Sequence, residues 1–227
     1  MTLRLAHRGD WRAAPENSLR AMAAALAIPA CDGLEFDVRG SADGIPVLLH
    51  DPTLDRVQGV DARVDDLTAA ELAASAIPTL EEVLTAIVPA PGPAGRALMP
   101  FLDVELKGEP VPAVIEILEA DRGETLARTV VSSFEAATLR WLRRERPAWP
   151  TWLNAVALDA ATVARGSEIG CRGVSVDARN LDAAGMARAR EAGLEVAAWT
   201  VRSLADYARL EALGVVAICA EAEALDG

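Results

Sequence analysis

Strand-like and helix-like segments alternate along almost the whole chain, and this order constrains the fold more than any other feature. Leaving out the return arm of one hairpin, the strand candidates are 3–6, 33–38, 101–107, 129–132, 151–155, 173–176, 195–199 and 215–219. Most are followed by helical sequence, and such alternation predicts parallel strands. Eight parallel strands close into a (β/α)8 TIM barrel. With 52% of its 227 residues hydrophobic, the chain can fill one core, so we expect a single barrel domain over 1–227.

Capping residues indicate where the helices between these strands begin. Helices are expected over 19–27, 67–74, 79–88, 114–120, 135–146, 182–192 and 204–213. Asn17 or Ser18 can cap the first of them, and Thr79 with Glu82 has the spacing of a capping box. The segment 89–100 holds four prolines and two glycines and is predicted to be a loop.

One antiparallel hairpin is predicted as an extension after the second strand. Asp43–Gly44, flanked by extended residues, is typical of a two-residue type I′ turn. Such a turn places Asp37 directly opposite His50, with Cβ atoms ~4.5–5.5 Å apart. Pro46 then falls at a non-hydrogen-bonded site, where its missing N–H costs nothing. The hairpin is therefore expected to bring an imidazole next to a carboxylate.

Polar residues stand at or near the C-terminal ends of the predicted strands, where TIM barrels carry their active sites. They are His7, Glu35, Asp37, Glu105 and Lys107. Glu35 and Asp37 share one strand face, and charges so close disfavour joint ionisation unless a cation lies between them. With Glu105 from the neighbouring strand they offer three hard oxygen ligands, which suit Mg²⁺ or Ca²⁺. Pairing of these carboxylates with Arg or Lys is the alternative.

The chain has two histidines, His7 and His50, and each follows an apolar strand. Two imidazoles near a metal ion can divide general-base and general-acid work, because their pKa lies close to neutrality. Arg8 and Lys107 add fixed positive charge, although a surface ion pair is an equal possibility for either. Together these groups suit displacement at the phosphorus of an anionic oxyester.

Two aromatic residues stand near the ends of predicted strands. Trp199 ends the seventh strand and Phe134 closely follows the fourth. Either can wall the pocket against an apolar part of a substrate or simply cap the barrel core.

The net charge of −12 argues against two classes of partner. An acidic chain gains no favourable electrostatics with phosphate backbones or anionic lipids, so we expect no nucleic-acid binding and no membrane-surface binding. No charged segment precedes an apolar one as in a signal peptide, and no apolar run reaches about 18 residues, so neither secretion nor a membrane span is expected. Cys31, Cys171 and Cys219 are few, odd in number and far apart, which predicts reduced thiols in a cytoplasmic protein.

Taken together, several short motifs resemble the glycerophosphodiester phosphodiesterase family. The matching pieces, in the family's order, are 6–9 with 15–18, 35–38, 43–47 leading to 50–56, 77–83, 103–107, 131–134 and 199–201. Each is weak alone, but the set spans most of the chain and is highly specific. The resemblance implies a barrel enzyme that uses a divalent cation to hydrolyse glycerophosphodiesters to glycerol 3-phosphate and an alcohol.

The resemblance also implies a role for each matching residue. His7 and His50 would be the acid/base pair, Glu35, Asp37 and Glu105 would hold the metal, Arg8 and Lys107 would bind the phosphate, and Glu16 would orient the first loop or approach the metal. The nucleophile is open between an activated water and a neighbouring hydroxyl of the substrate. Lysophospholipids or other phosphodiesters are alternative substrates, and a non-catalytic binding protein is the third possibility.

Two segments depart from the family pattern. The last strand runs 216–221 as Val-Ala-Ile-Cys-Ala-Glu, without the family's Thr or following Pro, which puts the role of the eighth loop in doubt. The segment 51–78 is too short for an inserted domain, so a more open pocket and relaxed selectivity for the alcohol are expected.

Overall fold

A ring of parallel strands forms the centre of the molecule in a computed structural model, which describes residues 1–87, 90–91 and 97–227. The strands are β1 (Leu3–His7), β2 (Gly33–Gly40), β3 (Pro46–Leu48), β4 (Ala90–Pro91), β5 (Ala97–Leu98), β6 (Phe101–Leu106), β7 (Thr129–Ser133), β8 (Thr151–Ala155), β9 (Gly173–Asp177), β10 (Glu195–Val201) and β11 (Ala217–Ala220). The ring runs β1-β2-β6-β7-β8-β9-β10-β11 and closes because β11 pairs with β1. Strand β3 pairs antiparallel with β2 outside it. The predicted TIM barrel with a hairpin extension is confirmed.

Helices fill most connections between the barrel strands. They are α1 (Leu19–Leu26), α2 (Asp55–Gln58), α3 (Ala69–Ala73), α4 (Leu80–Ala86), α5 (Ala113–Arg122), α6 (Ala136–Glu145), α7 (Ala160–Ile169), α8 (Ala183–Glu191), α9 (Leu204–Leu213) and α10 (Glu223–Asp226), with 3₁₀ turns at Val64–Asp66 and Ala178–Asn180. The predicted capping box is present, since Thr79 and Glu82 each accept the other's backbone N–H through their side chains. Ser18, and not Asn17, caps α1 by accepting the Ala21 N–H. In the part of the chain described, no helix has the length and apolar character needed to cross a membrane.

Helix α7 is the main element that the sequence patterns do not predict. Asp159 caps it through the N–H of Thr162, but Gly166 in its interior weakens the helical signal. A Cβ at Gly166 would lie 3.2 Å from Val174 and 3.3 Å from Leu194. Glycine therefore lets this helix approach the barrel closely, at the cost of helix propensity.

The prediction of a loop over 89–100 is only partly right. Ala90–Pro91 and Ala97–Leu98 pair antiparallel as β4 and β5. The residues between these strands, and the expected end of α4 at Val88, lie outside the described residues.

The inward-facing side chains of the barrel change from apolar to polar along the strands. A buried cluster at the N-terminal end consists of Leu5, Val130, Trp152, Ala197 and Ala217. Residues two apart on a strand share a face, so His7 follows Leu5 and Asn154 follows Trp152 on the inside. The apolar layer fills the lower barrel and leaves the polar side chains at the C-terminal end.

The hairpin is present, but its register differs by one residue from the predicted register. Val38 pairs with Leu48, and the Leu49 N–H donates to the Asp37 carbonyl at 3.2 Å. Leu49, not His50, therefore lies opposite Asp37. The prediction that Asp37 and His50 face each other across the ladder is wrong.

A five-residue loop over 41–45 replaces the predicted two-residue turn and causes this shift. The Ser41 hydroxyl donates to Asp43 at 2.6 Å and accepts the Ile45 N–H at 2.9 Å. The Ala42 N–H donates instead to the carbonyl of Leu67 at 2.8 Å. The Ser41 N–H also donates to the Ile45 carbonyl at 3.0 Å, so the base of the loop is closed and three residues, 42–44, form its tip instead of the predicted two.

Candidate active site

Two neighbouring strands bring four carboxylates together at the C-terminal end of the barrel. In the parallel register of β2 and β6, Glu35 lies beside Asp103 and Asp37 beside Glu105. All four are buried, and Asp37 has no exposed surface. One carboxylate oxygen from each of Glu35, Asp37 and Glu105 lies within 4.8 Å of the other two. The three acids expected to hold a metal therefore converge, and Asp103 adds a fourth.

Two cations are inserted into this acidic cluster. The Arg8 Nε lies 3.0 Å from Asp37 Oδ2, and the Lys107 Nζ lies 3.1 Å from Asp37 Oδ1 and 2.7 Å from Glu105 Oε1. Burial alone would raise the pKa of Asp37, but Arg8 and Lys107 lower it to about 2. Asp37 is therefore ionised at neutral pH and anchors both cations.

The other three carboxyls are not compensated to the same degree. Burial, reinforced by the charge of Asp37, raises the pKa of Glu35 well above its ordinary value and that of Glu105 to about 7. Burial also raises the pKa of Asp103 to about 7, although Ser132 donates a hydrogen bond to it at 2.6 Å. These raised pKa values follow first from burial of the carboxyls away from water, and the neighbouring negative charges add to the effect.

The donor set fits a hard divalent cation. Glu35 Oε2, Asp37 Oδ1 and Glu105 Oε1 are buried and make no aligned hydrogen bond with a described residue, although Lys107 pairs ionically with the last two. Converging carboxylate oxygens are the ligands that such ions prefer. The cluster could therefore hold a metal ion, as the sequence predicts.

The loop after β1 has a backbone conformation that directs Arg8 into the cluster. Arg8 and Gly9 both have positive φ, of 60° and 81°, and a Cβ at Gly9 would lie 2.6 Å from the carbonyl carbon of Ala21. Buried Asn17 donates its N–H to the Arg8 carbonyl at 3.0 Å and its amide to Asp37 Oδ2 at 2.9 Å. Asn17 thus ties this loop to the carboxylates.

His7 lies at the end of β1 between two carboxylates. Its Nε2 is 3.8 Å from Glu35 Oε2, and its Nδ1 is 2.5 Å from Glu221 Oε1. Glu221 directly follows β11 and is 7% exposed. The closure of the ring between β1 and β11 therefore supplies this contact.

His50 follows β3 and is held by two different contacts. Its Nδ1 lies 2.6 Å from Asp51 Oδ1, and Asp51 is paired in turn with Arg56. The Arg39 guanidinium donates to the His50 carbonyl from Nε at 2.9 Å and from Nη2 at 2.7 Å. Burial and two nearby cations lower the pKa of His50.

A cavity of about 230 Å³ unites these groups at the mouth of the barrel. Its lining includes His7, Arg8, His50, Lys107, Phe134 and Trp199. The Phe134 and Trp199 rings meet edge to face with centroids 5.6 Å apart, and Lys107 Nζ lies 5.5 Å from the Phe134 centroid. Phe134 is 39% exposed, so both aromatic residues wall the pocket and Phe134 does not cap the core.

Glu16 does not line this cavity in the part of the chain described. Its Oε1 accepts hydrogen bonds from Arg8 Nη1 at 3.0 Å and from Arg56 Nη2 at 2.6 Å. Of the two roles implied for Glu16, the geometry therefore supports orientation of the first loop over contact with the metal.

Several residues that complete the site are missed by sequence reasoning. Asn17, Asp51 and Glu221 contact Asp37, His50 and His7 as described, and Asp103 belongs to the acidic cluster. Two signals are available: Asn17, Asp51 and Asp103 stand inside the segments that resemble the family, and Glu221 stands beside a strand end where polar residues are expected.

The chain is similar to known phosphodiesterases in sequence and in fold. It is 32% identical over 165 residues, 64% of its length, to the glycerophosphodiester phosphodiesterase of Caldanaerobacter subterraneus, and 32% identical over 145 residues, 57% of its length, to glycerophosphodiester phosphodiesterase 1 of Mus musculus. The matches span 63% and 42% of those two proteins.

Solved structures show the same fold. An Oleispira antarctica phosphodiesterase in complex with the product sn-glycerol-3-phosphate superposes with a TM-score of 0.82 at 26% identity, covering 97% of this chain and 93% of that one. A glycerophosphodiester phosphodiesterase of Thermotoga maritima superposes with a TM-score of 0.78 at 23% identity, covering 100% of this chain and 96% of that one. From residue 7 to residue 222 the chain matches the model of the glycerophosphoryl diester phosphodiesterase family, and it belongs to that family.

Proposed function

We propose that this protein hydrolyses glycerophosphodiesters to glycerol 3-phosphate and an alcohol, with the help of one divalent cation. The observation that carries the proposal is that one cavity at the mouth of the barrel is lined by Glu35, Glu105, two fixed cations and two imidazoles, while a carboxylate oxygen of Asp37 lies within 4.8 Å of one from each glutamate. The complex of the Oleispira antarctica phosphodiesterase with glycerol 3-phosphate supports the same choice of product.

The charged residues bind the diester. Arg8 and Lys107 line the cavity and supply positive charge for the phosphate oxygens. Glu35, Asp37 and Glu105 would hold Mg²⁺ or Ca²⁺, and the ion when bound would polarise the phosphoryl oxygens. Phe134 and Trp199 offer an apolar wall to the carbon part of the substrate.

The two imidazoles divide the proton transfers of hydrolysis. A new bond forms between phosphorus and the attacking oxygen, whose proton passes to one imidazole. The bond between phosphorus and the alcohol oxygen breaks, and the other imidazole donates a proton to that oxygen. Both a water and a neighbouring hydroxyl of the substrate fit as the attacking group, the latter through a cyclic phosphate that water then opens.

Product analysis with matched variants tests the proposal. Glycerophosphocholine, glycerophosphoethanolamine, lysophosphatidylcholine and bis(p-nitrophenyl) phosphate are each incubated with Mg²⁺, Ca²⁺ or EDTA. We expect glycerol 3-phosphate from the first two, only with a divalent ion. Release of choline from the lysolipid alone would shift the assignment to lysophospholipids, and no turnover of any substrate would favour a binding protein.

A charge-matched pair of variants links that activity to the cavity. Glu105→Gln removes one buried carboxylate charge and is expected to abolish most turnover. Glu81→Gln removes the same charge from the exposed face of α4 and should leave turnover unchanged. Equal activity of both variants would contradict the assignment of the site.

The cytoplasmic location and single-domain organisation over 1–227 stay predictions.

A further inference from the structure

The eighth loop of the barrel holds a carboxylate against His7. Glu221 follows β11, its N–H donates to the Val201 carbonyl at 2.8 Å, and its side chain is 8% exposed. Its Oε1 lies 2.5 Å from His7 Nδ1, and its Oε2 accepts a hydrogen bond from Arg202 Nε at 2.8 Å. Each carboxylate oxygen therefore has its own partner.

The chemistry of Glu221 determines which nitrogen of His7 carries the proton. Burial would raise the pKa of Glu221, but His7 and Arg202 lower it below its ordinary value. An ionised carboxylate can only accept hydrogen bonds, so the short contact requires the proton on Nδ1. Nε2 is then directed to the cavity, on the side where Glu35 lies 3.8 Å away.

The same arrangement occurs at the second imidazole, on an unrelated part of the chain. Asp51 Oδ1 lies 2.6 Å from His50 Nδ1, and Arg56 pairs with the other oxygen of Asp51. Both histidines thus contact an arginine-bound carboxylate through Nδ1. Two independent loops that reach one geometry indicate that the geometry serves the chemistry of the cavity.

We propose that Glu221 is a positioning residue for His7, which it holds in the Nδ1-protonated tautomer with Nε2 facing the substrate. Arg202 keeps the carboxylate in place. The catalytic part of this inference rests on the proposed function, in which His7 transfers a proton. The part that concerns the tautomer of His7 does not. Although the last strand departs from the family pattern, Glu221 at its end still contacts a residue of the site, His7.

Replacing Glu221 with glutamine should reverse the tautomer. Arg202 can only donate, so it competes for the single oxygen of the amide. The amide NH₂ group is then turned toward His7, where Nδ1 must become the acceptor. Glu221→Asp retains a carboxylate that is one methylene shorter and should restore the native tautomer in part.

The experiment uses nuclear magnetic resonance of the imidazole nitrogens. Only two histidines occur in the chain, so long-range ¹H–¹⁵N spectra of the metal-free protein give the tautomer of each. We expect His7 to change tautomer in Glu221→Gln and His50 to stay as in the parent. Glu223→Gln, which removes the same charge from an exposed position two residues away, should alter neither.

Steady-state kinetics on glycerophosphocholine complete the test. Glu221→Gln should lower kcat ~10²-fold, in the range for loss of acid–base catalysis, with little change in KM, and Glu221→Asp should recover part of the loss. An unchanged His7 tautomer in Glu221→Gln, or an unchanged kcat, would overturn the proposal. The spectra do not depend on any substrate. A failure of the proposed hydrolytic function can therefore be distinguished from a failure of the tautomer proposal. If Glu221→Gln does not fold, Glu221→Asp must show a weakened Nδ1 hydrogen bond.

Discussion

His7 and His50 reach the same cavity from regions that are built differently. The side chain of His7 is 14% exposed and its partner Glu221 is 214 residues distant in sequence, whereas that of His50 is 33% exposed and pairs with the next residue. The closure of the barrel fixes His7, while loop hydrogen bonds fix His50. In one site, the barrel topology thus sets the position of His7 and local contacts set the position of His50. Substitutions should therefore affect the two histidines separately.

The largest effect is expected from the acidic cluster, part of which lines the same cavity as both histidines. Removing the metal with EDTA, or replacing Glu105 with alanine, should lower turnover at least ~10²-fold, because charge stabilisation at the phosphoryl group is lost. Initial rates with glycerophosphocholine measure this loss. Near-normal turnover in Glu105→Ala would refute the role of Glu105 as a ligand.

The next effect separates the roles of the histidines. His7→Ala and His50→Ala should each lower turnover of glycerophosphocholine at least ~10²-fold, the low end for losing an acid–base group. With bis(p-nitrophenyl) phosphate, whose leaving group needs no proton, the variant that lacks the general acid should recover most of its activity. Equal losses of turnover on both substrates in both variants would contradict the assignment of one histidine as general acid and the other as general base.

A smaller effect is expected from the contacts that hold His50 alone. Arg39→Met removes two hydrogen bonds to the His50 carbonyl and should lower turnover about tenfold, equivalent to about 1.4 kcal/mol in the activation barrier, because His50 is then held less firmly. The imidazole signals of His7 should not move. Arg63→Met, which removes an exposed arginine paired with Asp65, is the matched control and should behave as the parent. A change in the His7 signals would show that the two regions are coupled.

The smallest effect concerns stability. Glu35, Asp103 and Glu105 have raised pKa values in the folded metal-free protein, up to about 7 for the last two. Their contribution is present below the ordinary carboxyl pKa of about 4 and is lost as the pH rises through about 7. The free energy of unfolding, measured in urea without metal, should fall from about pH 5 to about pH 8 and recover when a divalent ion binds. A rise over that range would contradict the raised pKa values.

The sequence predicts features that depend on local pattern and not those that depend on distant contacts. The barrel follows from the alternation of strand-like and helix-like segments, and the Thr79 capping box follows from its spacing. The predicted register of His50 is wrong by one residue because the contacts that shape the 41–45 loop, among them the bond from the Ala42 N–H to the Leu67 carbonyl, are not visible in the local pattern. The contact of Glu221 is not predicted because its partner His7 is at the other end of the chain. Helix α7 is not predicted because Gly166 lowers its helix propensity while allowing close packing.

The pairing of β1 with β11 has a consequence for synthesis. The first barrel strand leaves the ribosome long before the last, so His7 lacks the Glu221 carboxylate at its Nδ1 until residue 221 has been made. In a nascent chain, the site cannot be complete before nearly the whole barrel has been synthesised. Activity should therefore appear late and abruptly in translation, and fragments that lack β11 should be inert even where Glu35, Asp37 and Glu105 are all present.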